Sequence, residues 1–131
     1  MGHVRLSAQQ LERLRRSLLH RLTGIYRAVR ADLRDSTVRH LFGQDEPRDE
    51  ADESLRLQIR DLRLSLDERE ARLAQAIEEA LGRMARGEFG ICVDCGLPIE
   101  PARLRLVPWT VRCADDQQAL EAATHARAPT L

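Results

Sequence analysis

The sequence contains no lysine; every strong base is an arginine. That bias carries no functional reading. Aromatic residues make up only 3%, with one Trp, one Tyr and two Phe. A chain so poor in rings has no run of platforms on which nucleic-acid bases could stack. Net charge is absent as well, because 21 bases balance 21 acids. Bulk electrostatics therefore calls for neither nucleic acid nor a membrane surface. No apolar run approaches the length of a membrane span, and the first residues lack the apolar core of a secretory signal. The expectation is a cytoplasmic protein. Three cysteines are too few for a disulfide scaffold, and their spacing points to a metal or former metal site.

What is abundant is Leu, Ala, Arg and Glu, a mixture that favours long helices over a broad globular core. Ser7 followed by Gln10 has the form of a capping box. After it, Leu11, Leu14, Leu18, Leu22, Ile25, Val29 and Leu33 recur at steps of three and four, which places them on one helical stripe. Arg13, Arg16, Arg27, Arg30 and Arg34 occupy the opposite face. Gly24 inside the pattern costs about 1 kcal/mol relative to Ala. The expected helix runs to about Val38, a length of about 45 Å. Its apolar stripe reads as a packing seam, with Tyr26 in the seam or at its edge. From Met1 to His40 there are nine arginines against Glu12, Asp32 and Asp35. Such an arginine face is either simply solvated or steers the chain toward an acidic surface.

The stripe fails from Leu41. LFGQDEPRDEADES holds Gly43, Pro47 and six acids, with Arg48 its only base. Glycine and proline break the helix, and acids suit the start of the next one. Residue type alone reads this stretch as a solvated turn with capping acids. Asp52 or Ser54 is the expected N-cap of a second helix. There Ile59, Leu66, Leu73 and Ala80 recur every seven residues, flanked by Leu55, Leu62, Ile77, Leu81 and Met84. This is a heptad seam, and the short turn before it makes the first helix its antiparallel partner. Arg69 interrupts the seam. Gly87 stops the helix, with Arg83 and Arg86 in the last turn.

The most informative stretch is GEFGICVDCGLPIEPARLRLVPWTVRCADD. Cys92 and Cys95 form a C-x2-C knuckle, Cys113 follows, and Asp116 stands where a second C-x2-C would be completed. A tetrahedral zinc ion takes four such convergent donors, and it accepts carboxylate oxygen as well as thiolate. Two readings stay open: a zinc site of three cysteines and Asp116, or a metal-free knuckle held by packing. In the second, Asp115 or Asp116 caps a last helix from Gln117 to about Thr124, with Leu120 on its buried side. His3, His20, His40 and His125 are not at ligand spacing. No catalytic constellation is present: there is no phosphate-cradling glycine loop and no nucleophile paired with a base.

With its flanks, this stretch resembles the TraR/DksA family of bacterial transcription regulators. The resemblance is carried by Gly87, Phe89, Gly90, Cys92, Cys95, Gly96, Ile99, Arg103, Leu104, Pro108 and Cys113, and it departs at Asp116, where most members have cysteine. It implies a mainly α fold: a long antiparallel coiled-coil hairpin over residues 1–86 with an acidic tip near 43–54, then a zinc-ribbon-like knuckle and short C-terminal helix over 87–131. It implies a zinc ligand set of Cys92, Cys95, Cys113 and Asp116. In the family's Asp-x-x-Asp-x-Ala tip pattern, the matching residues are Asp49, Asp52 and Ser54, with serine in place of alanine. Arg69 lies where members tend to keep an arginine on the coil, which is either a polymerase-docking contact or a snorkelling structural residue.

The implied function is not enzymatic. It is regulation of RNA polymerase by a monomer entering the secondary channel, without contact to a DNA sequence. Guanosine tetraphosphate binds some members through basic positions that here read Val107 and Gln117, so a weak response to it is expected. The rivals are a nucleic-acid-binding zinc ribbon using Arg103, Arg105 and Arg112, and a structural coiled-coil adaptor pairing between chains.

Overall fold

The computed structural model describes residues 6–42 and 50–127. The fold is mainly α, as expected. Its helices are α1 (Ala8–Arg27), α2 (Asp35–Phe42), α3 (Glu50–Leu64), α4 (Glu68–Ala85), α5 (Pro101–Leu106) and α6 (Ala114–Ala126).

The capping box forms as expected. Ser7 Oγ accepts from the Gln10 N–H at 3.1 Å, and Gln10 Oε1 accepts from the Ser7 N–H at 2.8 Å. Two of the four orphan donors at the start of α1 are satisfied in this way. Leu18, Leu19, Leu22 and Tyr26 are buried along its inner face. α1 makes its most extensive contact with α4. The pair is antiparallel, since Leu11 shares a cleft with Met84 at one end while Tyr26 reaches Glu78 further along.

Helix lengths depart from the sequence reading. The helix expected to run to about Val38 ends at Arg27, and the chain reverses before Asp35. Asp35 and Arg39 then lie beside Arg16, Leu19, His20 and Thr23 of α1, and Phe42 lies beside Ala8 and Leu11. α2 therefore runs back along α1. The second long helix is broken as well. α3 ends at Leu64, and Asp67 caps α4 by accepting the Glu70 N–H at 2.8 Å. Asp52 and Ser54 are not N-caps, because α3 starts at Glu50 and contains both.

The physical reason is tertiary. Folding back buries Val38, Leu41 and Leu66 in the same cluster as Leu18, Leu22, Ile59, Ile77 and Leu81. Burial stabilises by about 1.5–3 kcal/mol for each large aliphatic side chain. A seven-residue repeat records that a face is apolar, but not whether a distant helix or the next segment of the same chain covers it.

Candidate metal centre

The finger begins where α4 stops. Gly87 takes φ of +71°, a conformation that side chains with a Cβ rarely adopt, and the Glu88 N–H returns to the Arg83 carbonyl at 2.8 Å. This is a glycine helix stop. Arg83 anchors the join by donating to the carbonyls of Glu88 (3.1 Å) and Ile91 (2.7 Å). Ile91 and Pro98 then face each other across an antiparallel bridge. Inside that loop the Gly96 N–H closes onto the Cys92 carbonyl at 3.0 Å, with Gly96 at φ +73°. The turn places both knuckle sulfurs on one side. Arg103 donates to the Arg112 carbonyl (3.0 Å) and the Val93 N–H to the Val111 carbonyl (2.9 Å). These bonds hold the segment before Cys113 against α5 and the knuckle loop.

Cys113 is the N-cap of α6, and Asp116 is the third residue of that helix. The alternative in which Asp115 or Asp116 caps the helix is thereby overturned. α6 starts at Ala114, one turn earlier than expected, and this turns the Asp116 carboxylate toward the thiols instead of the backbone. Asp116 Oδ2 accepts from Cys92 Sγ at 3.0 Å and from Cys113 Sγ at 3.3 Å. Leu120, expected on a buried side, is 43% exposed. α6 buries none of its residues, so it is held by its N-terminus.

The donor atoms of Cys92, Cys95, Cys113 and Asp116 all lie within 4.8 Å of one another. In a tetrahedral site with zinc–sulfur bonds of about 2.3 Å the donors stand about 3.8 Å apart. The four residues therefore fit zinc after small adjustments, the widest pairs closing and the two hydrogen-bonded pairs opening. No histidine joins the group among the described residues.

The electrostatics are those of a donor set sharing protons around one carboxylate. Hydrogen bonds from Cys92, Cys95 and Cys113 hold Asp116 below the usual carboxylate range. At Cys95 the Leu97 N–H favours the thiolate, but Asp116, burial and the neighbouring sulfurs push the thiol up to about 12. Cys113 is also raised: the Asp116 N–H favours its thiolate, but burial and the Asp116 carboxylate outweigh that. Burial opposes the Cys92 thiolate too, yet N–H donors from Cys95, Cys113 and Asp94 outweigh it and lower the pKa. A cation in the centre would replace those protons, as metal binding to thiols requires.

Asp49 falls outside the described residues. Asp52 is in the first turn of α3, and Ser54 is exposed on the next. Arg69 is exposed in the first turn of α4. Neither Ser54 nor Arg69 belongs to the donor group of the metal centre.

Sequence reasoning missed two long-range contacts. Arg21 of α1 stacks over Trp109 at 4.7 Å, tying the finger to the helices. Glu78 receives hydrogen bonds from both Tyr26 and Arg63, linking α1, α3 and α4. Burial and the Glu78 carboxylate raise the Tyr26 pKa well above the usual phenol range, so it stays protonated and donates. No local motif announces either contact.

Antiparallel helices joined to a four-donor finger define a helical protein with a zinc-finger end. A family model described as the prokaryotic dksA/traR C4-type zinc finger matches residues 87–122. The chain is 30% identical over 119 residues to the "RNA polymerase-binding transcription factor DksA" of Caulobacter vibrioides, spanning 88% of this chain and 79% of that protein. It is 34% identical over 76 residues to an uncharacterized Aquifex aeolicus protein, covering 58% and 52% of the two chains. The solved structure of transcription factor DksA2 from Pseudomonas aeruginosa matches with a TM-score of 0.58 and 31% identity, over 91% of this chain and 88% of that one. This chain belongs to the TraR/DksA family.

Proposed function

We propose that the protein regulates transcription by binding RNA polymerase, entering its secondary channel as a monomer with residues Asp49, Asp52 and Ser54 leading. One observation carries this reading. The 30% identity to a protein named as an RNA polymerase-binding transcription factor runs through helices and finger alike. The likeness therefore extends well beyond a shared zinc knuckle.

In this reading the antiparallel helices supply reach and the finger docks at the channel mouth. Asp49 and Asp52 act near the polymerase active centre, where carboxylates can perturb polar contacts and favour one polymerase conformation over another. Arg69, exposed on α4, is a docking contact. Zinc, held by Cys92, Cys95, Cys113 and Asp116, would fix the two halves of the finger to each other. No step is catalytic, and no DNA sequence is read. Of the three finger arginines, Arg112 is paired with Asp94 at 2.7 Å and Arg103 is engaged with Arg112 and Thr110. Their employment inside the finger argues against a nucleic-acid-binding ribbon.

Dependence on guanosine tetraphosphate is weak in this proposal. Val107 and Gln117 line an open cleft of about 690 Å³ together with Arg103, Trp109 and Glu121. A polyphosphate there would meet one arginine already occupied and one carboxylate, a poor match for its charge.

The test is transcription from a ribosomal RNA promoter by purified polymerase, titrated with the protein and with Asp49→Asn/Asp52→Asn. Output should change with the first and not with the second, while both bind polymerase. Equal output from both would remove the tip assignment. A large enhancement by guanosine tetraphosphate would remove the weak-dependence reading.

A further inference from the structure

The Arg63–Glu78 pair spans 15 residues of sequence and crosses the break between α3 and α4. In one continuous helix, residues 15 apart stand about 22 Å from each other, beyond the reach of an arginine and a glutamate together. The pair therefore exists only when the helix is broken. Yet the heptad of Ile59, Leu66, Leu73 and Ala80 runs through the break in phase, and the stripe of Leu22, Ile25, Val29 and Leu33 runs through the turn after α1. Val29 is left 39% exposed in the folded-back form. The same residues thus encode two arrangements, one compact and one with α3 and α4 fused into a single rod.

We propose that the chain interconverts between this compact form and an extended hairpin, and that Glu78, held by Tyr26 and Arg63, is the latch that favours the compact form. In the compact form Phe42 sits beside Met84 and Ala85, at the finger end of the α1–α4 pair. In the extended form, with α2 continuing α1 and α3 continuing into α4, that end of α2 would stand about 50 Å from Met84. Releasing the latch converts a short molecule into a long one with no change in covalent structure. Glu78 is well placed for this. Its side chain is 13% exposed, and it accepts from Tyr26 of α1 and from Arg63 Nη2 of α3 at once. A largely buried carboxylate that loses both donors becomes costly, so the two bonds together favour the compact form.

The local chemistry of the break names a lock. Glu68 is the first residue of α4, where the amide has no helical acceptor, and Asp67 before it lies at φ −68° and ψ 169°. Proline fits that first position, and the residue before it already has the extended backbone proline demands. In a continuous rod the same proline would remove a hydrogen bond and clash with the Leu64 carbonyl. Glu68→Pro therefore permits the compact form and forbids the extended one.

The experiment is small-angle X-ray scattering of the purified, zinc-loaded chain, with helix content followed by circular dichroism. The compact form should give a radius of gyration of about 14 Å for this length, and the rod about 20 Å. We expect wild type near the lower value, Glu78→Gln shifted upward with helix content kept, and Glu78→Gln/Glu68→Pro returned to the lower value. Rescue by proline is the decisive outcome, because a variant that merely unfolds is not repaired by it. An unchanged radius in Glu78→Gln would overturn the latch, and so would an expansion that proline fails to reverse. A wild-type radius near 20 Å that Glu68→Pro leaves unchanged would overturn the compact form itself. Polymerase is absent from the measurement, so its failure leaves the reading of transcriptional function untouched.

Discussion

Among the described residues, the finger buries only Cys92, Ile99 and Leu104 in a cluster of its own, whereas the helical part buries a continuous core from Leu18 to Leu81. The finger compensates with direction. Its glycines at positive φ, its carbonyl-seeking arginines and its four convergent donors each fix one backbone position. The helical part relies on area, which is large but non-directional. A fold held by direction is readable one residue at a time and fails one residue at a time. A fold held by area is readable as a pattern, and its topology is decided only when the pieces meet.

The largest expected effect breaks that comparison at its most directional point. Cys92→Ser should take zinc content, measured by mass spectrometry of the purified chain, from one ion per molecule to near none. The α1–α4 core should keep its cooperative melt, because none of its buried residues touches the metal centre. Simultaneous loss of both transitions would show that the two regions are one cooperative unit. Leu22→Ala is the mirror experiment. Leu22 is fully buried in the helical core, and truncating such a side chain costs about 2–5 kcal/mol. Urea unfolding followed by circular dichroism should move by that amount, with zinc content unchanged.

A smaller effect sharpens the comparison, because it tests the one place where the helical part behaves like the finger. Tyr26→Phe removes the hydroxyl that donates to Glu78 but leaves the ring in the core. A hydrogen bond to a charged group is worth about 1.5–3 kcal/mol, and Arg63 remains to satisfy part of the carboxylate. The loss should therefore fall near the low end, read as a shift in urea midpoint. A shift as large as that of Leu22→Ala would mean that direction also governs the helices.

The same contrast explains what was legible in advance. Ser7–Gln10, Gly87 and the C-x2-C knuckle are local devices whose residue types dictate the geometry, and each forms as the sequence announces. Asp116 was legible as a donor but not as the winner over its capping alternative, since that depended on α6 starting one turn early. The breaks after Arg27 and Leu64 were hidden beneath a repeat that continues through them. Asp67 followed by Glu70 carries a local helix-start signal that the heptad overshadowed. Glu78 could not have been paired in advance, because its partners lie 52 and 15 residues away.

The smallest effect concerns acid, and it separates the two regions by a single carboxylate in each. In the metal-free chain Asp116 is held low by donated hydrogen bonds from Cys92, Cys95 and Cys113, and Asp67 by the N–H of Glu70. Both folded-state values lie below the unfolded carboxylate value of about 3.9. Each group therefore contributes stability that is fully present above that value and is lost as pH falls through the folded one. Zinc changes the finger alone, because its thiolates must then be kept from protons and release begins at a higher pH than any carboxylate would set. Acid titration followed by Trp109 fluorescence for the finger and circular dichroism for the helices should show this split. With zinc, the finger transition precedes the helical one on the way down. Without zinc, the finger transition joins the helical one in the carboxylate range, Asp116→Asn flattens only the first, and Asp67→Asn, which keeps a capping side chain, flattens only the second. A finger transition at the same pH with and without zinc would mean that Asp116, and not the metal, holds the two halves of the finger together.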